Sequence, residues 1–254
     1  MKIGGKMFLM AALATAAASV SAQVIRIDQS AFTAAAGLIT FSEFAGGTVN
    51  PTYTPANYGG APTAPTVTFG GFFNGQALGT AATCPPGAAL TGCVVGLPTA
   101  TLGLAAGSPN TFITGDGANP TSPVLSGSPT FNGPVSMVFS VDVAGVGLDG
   151  GFFNAAHSTA IRAFDRNGNV IGSVDNVGLG IEFLGLVTAD GLAHIAGLQF
   201  SIVGSEPAGF AIDNLRFGEA GQVIVPGVPE PETYAMMMLG LGAMGWLARR
   251  RRKA

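Results

Sequence analysis

Few residues in this chain could do chemistry. There are two histidines, His157 and His194, and two cysteines, Cys84 and Cys93. Neither histidine belongs to an H-E-x-x-H or other metal-ligand spacing. No Gly-x-Ser-x-Gly elbow marks a nucleophile. No glycine loop suits a phosphate, and no close carboxylate pair suits glycoside hydrolysis. Each histidine therefore reads as a loop or strand-edge residue, and the chain reads as a non-enzyme. The cysteines lie in CPPGAALTGC with eight residues between them. In an exported chain that pattern predicts one disulfide closing a small loop. The spacing is not C-x-x-C, so catalytic redox use is not expected. Asp165-Arg166-Asn167-Gly168-Asn169 has a superficial calcium-loop look. Its glycine is at position four rather than six, and Asn176 stands where an EF-hand needs a bidentate Glu. It reads instead as a hairpin turn. Asn50-Pro51-Thr52 and Asn119-Pro120-Thr121 are not sequons, because proline occupies the middle position.

The elements that must position these residues are strands. The chain has 254 residues, with 39 Gly and 16 Pro, which predicts many turns. Only 10% of residues are charged, against roughly 25% in an average soluble domain. Hydrophobic residues make up 48%, which excludes a charge-rich disordered chain. Val135 to Val143 alternates with period two, placing Val135, Met137, Phe139, Val141 and Val143 on one face. Leu38–Phe44, Thr66–Phe69, Glu182–Val187, Ile195–Val203 and Phe210–Phe217 are further strand candidates. Ala160–Phe164 and Val170–Val174 flank the Asp165–Asn169 turn as a β-hairpin. The expected body, residues 23–225, is all-β: an antiparallel β-sandwich, jelly-roll-like, with long Gly/Pro-rich loops. Residues 45–65 and 74–133 read as surface loops or an irregular insert with short strands. Gly70-Gly71-Phe72-Phe73-Asn74 recurs at Gly150–Asn154, and unmatched flanks make this a coincidence of composition.

The basic residues concentrate at the two ends. Lys2 and Lys6 precede an apolar run from Met7 to Ala18, with small residues before Ala22. Residues 1–22 therefore read as a secretory signal peptide. Between residues 23 and 228 there are twelve acidic and four basic side chains, which excludes nucleic acid as a partner. At the other end, residues 226–254 hold three parts in order. Pro229-Glu230-Pro231 comes first, then an apolar helix expected over 234–248, then Arg249, Arg250, Arg251, Arg252 and Lys253. Such a helix rises about 22 Å, short of a roughly 30 Å hydrocarbon core. Tyr234 and Trp246 suit the interfaces, and the basic cluster should stay cytoplasmic. This tail resembles the PEP-CTERM sorting signal of Gram-negative bacteria, whose tail is also known as the ice-binding protein C-terminal domain. The resemblance implies recognition by an exosortase after the secretion machinery has acted. It implies a precursor held in the inner membrane by its C-terminal helix, then delivery to the cell surface or extracellular exopolysaccharide matrix.

The last strand, Phe210-Ala211-Ile212-Asp213-Asn214-Leu215, resembles the closing strand of carbohydrate-binding jelly rolls. That resemblance implies a structural Ca²⁺ shared by Asp213 and an early acid, here Glu43. The alternative is that Asp213 caps a strand end or turn by hydrogen bonds. A sugar platform would draw on Tyr53, Tyr58, Phe72, Phe73, Phe152 or Phe153. The body has no Trp, which weakens a sugar-binding reading. Thr-x-Thr pairs occur at Thr52, Thr66 and Thr99 without the periodicity that ice binding needs. The expected function is a non-catalytic surface or matrix protein; a carbohydrate-binding module delivered by the same route is the alternative.

Overall fold

The computed structural model describes residues 23–118 and 123–227. The signal peptide expected over 1–22, Asn119-Pro120-Thr121, the Pro-Glu-Pro motif, the helix expected over 234–248 and the basic cluster lie outside the described residues. Among those described, no helix is long and apolar enough to cross a membrane.

The strands are β1 (Val24–Arg26), β2 (Gly37–Ile39), β3 (Thr52–Tyr53), β4 (Val67–Gly70), β5 (Ala77–Leu78), β6 (Val94–Val95), β7 (Thr111–Thr114), β8 (Val124–Gly127), β9 (Val135–Val143), β10 (Gly145–Phe153), β11 (Thr159–Phe164), β12 (Val170–Asp175), β13 (Gly180–Thr188), β14 (Ile195–Ile202) and β15 (Ala211–Gly218). The first sheet runs β1-β13-β10-β15-β8-β7, with β2 also paired to β15. The second runs β12-β11-β14-β9-β4-β3, and β5 and β6 form a separate ribbon. All pairings are antiparallel.

Alternation explains how the two sheets meet. From the first sheet, Val146, Leu148, Leu184, Leu186, Ile212, Leu215 and Phe217 point inward. From the second, Val67, Phe69, Val135, Met137, Phe139, Ile161, Leu198 and Phe200 meet them in one core. Each such side chain contributes about 1.5–3 kcal/mol when fully buried. Both sheets also carry apolar side chains on their outer faces. Phe73, Leu102 and Leu104 from the insert cover Phe164, Ala196 and Val138 on the second sheet. Ile27, Phe32, Val223 and Val225 cover part of the first sheet around Val187.

Two sequence expectations change. The strand expected over Leu38–Phe44 stops at Ile39, because the Glu43 carboxylate accepts from Thr40 N (2.9 Å) and Thr40 Oγ1 (3.0 Å) and closes a turn. Phe41 sits there at φ 57°. Val141 is 48% exposed rather than inward, because the β9–β14 register breaks between Val138 and Val143. The 74–133 stretch is an irregular insert with short strands, as expected, of which β7 and β8 extend the first sheet. The two Gly-Gly-Phe-Phe-Asn stretches serve different roles, since Phe73 lies in the outer cover and Phe153 in the central core. The hairpin about Asp165 forms as expected, with Asp165 Oδ1 accepting from Asn167 N and Asn169 N and Gly168 at φ 82°. The Cys84–Cys93 disulfide is present.

The cover is locked by buried amides. Gln76 and Gln199 exchange hydrogen bonds at 3.2 and 2.8 Å, and Gln199 Nε2 also donates to Ser136 Oγ at 3.0 Å. Ser136 Oγ donates onward to Gly71 O, and Phe73 N donates to Gln76 Oε1. Gln199→Ala should destabilise by about 2 kcal/mol, because it orphans buried partners. Gln76→Leu with Gln199→Leu should recover part of that loss, as denaturant unfolding would measure. Reduction of the disulfide should remove about 2–3 kcal/mol by the same measurement.

Candidate functional site

The histidines occupy opposite ends of β14. His157, at φ 57°, has Nδ1 2.5 Å from Asp175 Oδ2. Arg26 donates to Asp175 O at 2.7 Å and to Glu182 Oε1 at 2.5 Å. His194 Nε2 lies 2.9 Å from Asp190 Oδ2, four residues away on the same turn. Neither imidazole hydrogen-bonds a hydroxyl or thiol among the described residues, so neither activates a nucleophile there. Desolvation pushes Asp175 up, but hydrogen bonds from His157 and the backbone, with the charges of His157 and Arg26, outweigh it. Its carboxyl is held below the usual carboxylate range. Asp190 is lowered in the same way, desolvation being outweighed by Leu192 N–H and His194.

Glu43 lies in the turn that follows β2 and Asp213 on the neighbouring β15, whose Leu215 stands opposite Ile39. Glu43 spends one oxygen on Thr40, and its other oxygen is buried with no hydrogen-bond partner. The nearby Tyr53 hydroxyl is likewise buried and unpaired; burial and the Glu43 charge push it far up. Asp213 accepts from Asn214 N at 2.7 Å. It also stands opposite Asp149, and the Asn214 amide donates to both carboxylates, at 2.9 Å to Asp149 and 3.3 Å to Asp213. Asn214 reaches both because the β10–β15 register shifts there and its φ is 46°. An orphaned carboxylate oxygen suits a cation, yet among the described residues no group of three or more His, Cys, Asp or Glu is placed to hold one. Asp213 itself lies within β15.

A buried polar cluster escaped the sequence reading. Glu206 is fully buried between the loops that follow β10 and β14. Its carboxylate accepts from Asn154 N (3.0 Å), Asn154 Nδ2 (2.6 Å) and Ser158 Oγ (2.7 Å). Asn176 accepts from Ser158 N and Thr159 N and donates to Ala155 O and Gly178 O. The Glu206 carbonyl accepts from Ala89 N, which pins the disulfide loop to this end. In sequence Glu206 lies in a Ser-Glu-Pro loop and gives no sign of burial. The cluster positions the loops at this end of the sandwich.

The aromatic expectations need correcting. Tyr53, Phe73 and Phe153 are fully buried, because each lies on an inward or covered face. Tyr58 packs edge-on against Phe217 and donates to Pro65 O, and burial with the Glu219 charge pushes its hydroxyl up to about 12. Phe72 is half-buried, and Phe152 is 50% exposed. The sequence reading missed Phe183, on the outer face of the first sheet. It borders an open groove of about 680 Å³, lined by Asp28, Gln29, Ser30, Phe32, Phe183 and Arg216.

Residues 227–253 match the family model of the PEP-CTERM protein-sorting motif. The chain carries a PEP-CTERM sorting signal. The match covers Pro229, Glu230, Pro231 and the basic cluster, and leaves the sandwich outside it. No curated protein matches the chain. Among solved structures, the enzymatically active domain of tailspike protein 4 of bacteriophage CBA120 is similar at 18% identity with a TM-score of 0.23. The likeness covers 61% of this chain and 18% of that one, and at that score it establishes no shared activity.

Glu206→Ala should cost about 2 kcal/mol in denaturant unfolding, since it takes the acceptor from the buried Ser158 hydroxyl and from the part-buried Asn154 donors. Asp175 is depressed in the folded state, so its contribution is present above about pH 4 and lost as pH falls through the folded value. Asp175→Asn should therefore flatten the loss of stability in that acid window. At pH 7 the change should stay within about 1 kcal/mol, because the pair is half exposed. Calcium titration separates the two roles of Asp213. A shared ion raises the melting temperature, by the equivalent of about 2.7 kcal/mol at a hundred times Kd. A strand-end cap leaves it unchanged.

Proposed function

We propose that the protein is a non-catalytic component of the cell surface or exopolysaccharide matrix of a Gram-negative bacterium, sorted there by an exosortase. The observation that carries this reading is the sorting motif at residues 227–253. Its three parts make physical sense in order. The basic cluster stays on the cytoplasmic side, the apolar stretch enters the membrane, and the Pro-Glu-Pro segment stands outside it within reach of a membrane protease. The signal peptide assigned to residues 1–22 supplies export through the secretion machinery.

The body supports a structural rather than a catalytic role. Its histidines are each engaged by a carboxylate, and its deepest carboxylate, Glu206, is spent on loop positioning. Strands that cross repeatedly between the sheets, as β9 to β10 to β11 do, support a jelly-roll-like reading of the sandwich. A carbohydrate-binding module delivered by the same route is a second reading, favoured by the groove beside Phe183.

Replacing Pro229-Glu230-Pro231 by alanines should leave the protein in the inner membrane, which cell fractionation would reveal. Mass spectrometry of native surface material should find no peptide carrying Arg249–Arg252. Recovery of the intact basic cluster from that material would overturn processing at the motif.

A further inference from the structure

The outer face of the first sheet is covered only in part, and what it leaves open has a definite chemistry. Adjacent cross-strand rows place Gly185, Gly147 and Arg216 side by side, then Phe183, Asp149 and Asp213. Phe183 leans from its own row over the glycines. A Cβ built on Gly147 would come within 2.4 Å of the ring, and one on Gly185 within 2.6 Å. Glycine at both positions thus lets an aromatic ring lie over bare backbone. Phe32 meets that ring edge-on, with centroids 6.2 Å apart and planes at 79°. Beside it, Arg216 is half-buried and makes no ion pair among the described residues. With the Gln29 amide oriented to satisfy both its ends, its oxygen accepts from Arg216 Nη2 at 2.6 Å and Nε at 3.2 Å. Among the described residues the remaining guanidinium donors are unspent. Asp28 and Ser30 complete the rim.

We propose that this groove binds a strand of neutral polysaccharide, with Phe183 as the platform under one sugar ring and Arg216, Gln29, Asp28 and Ser30 as its polar edge. Sugar hydroxyls both donate and accept. They are met by a rim holding a donor-only guanidinium, an acceptor-only carboxylate, and an amide and a hydroxyl that do both. The C–H face of a sugar ring is apolar and suits an aromatic surface. A polyanion does not fit, because Asp28 and Asp149 flank the one cation and the body is acidic overall. The groove is open rather than enclosed, which suits a polymer lying across it better than a small molecule needing most of its surface buried. This deepens the matrix reading and rests on it only for where protein and polymer meet.

The test uses the full-length protein in a detergent without a sugar headgroup. Affinity electrophoresis would be run through gels holding dextran, xylan, galactomannan or alginate. At least one neutral polymer should retard the protein, and alginate should not. Phe183→Ala should abolish the retardation, and Arg216→Gln, which keeps the packing, should weaken it about tenfold. Phe152→Ala should bind as the native protein does. The variant lacking Pro229-Glu230-Pro231 should also bind normally, so a failure of sorting leaves this result untouched. Retardation by none of the neutral polymers, by alginate alone, or undiminished in both Phe183→Ala and Arg216→Gln would overturn the proposal. Unchanged melting temperatures of the variants would show that loss of binding is not loss of folding.

Discussion

Each sheet of this sandwich carries apolar side chains on both faces, and only one face can meet the other sheet. That constraint organises the rest of the molecule. The inner faces share one core, in which Phe139 and Phe217, and Phe153 and Phe200, meet across the interface. The outer face of the second sheet would expose Phe164 and Ala196 to water if nothing lay over it. The insert supplies Phe73 and Leu102 for that purpose. The outer face of the first sheet is treated differently. Segments next to the two ends of the body meet there through the Phe32–Val223 bridge and bury Val187. They reach Phe183 and Arg216 only at one side, through Phe32 and Gln29, and the groove is what remains uncovered.

Covering a sheet with irregular chain brings backbone polar groups inside, and these need partners. The solution is neutral amides and hydroxyls instead of ion pairs. Gln76, Gln199 and Ser136 satisfy one another beneath the insert. Asn154, Ser158 and Asn176 gather around Glu206 at one end of the sandwich. With so few charged residues in the chain, buried amides carry the directional constraints that salt bridges carry elsewhere. Orphaning any one of them is costly, which fixes the loops in one arrangement.

Address and body are physically separable. The sorting motif is a linear pattern of a Pro-Glu-Pro segment, an apolar stretch and a basic end. The core and covers described here are built from residues 23–227. A sorting signal of this kind can therefore deliver bodies of unrelated shape. The function of this one has to be read from its open surface.

The sequence by itself determined the features that arise locally. Period-two alternation is a property of consecutive residues, so β4, β9, β13, β14 and β15 were legible within a residue or two. The Asp165–Gly168 turn was legible because its hydrogen bonds close within five residues. The disulfide was legible because two cysteines allow one pairing. The tail was legible because a linear motif needs no fold. Tertiary structure decided what depends on distant strands. The inward or outward facing of Val141 hangs on a register break against β14. The burial of Tyr53, Phe73 and Phe153 hangs on covers contributed from elsewhere in the chain. Glu206 looks like a surface loop residue until Asn154 and Ser158, some fifty residues away, arrive to hydrogen-bond it. Phe183 became a surface platform only because Gly147, on another strand, offers no side chain beneath it. Long-range register and cross-strand packing are not encoded in any short window, and that is why the address could be read from residues while the binding face could not.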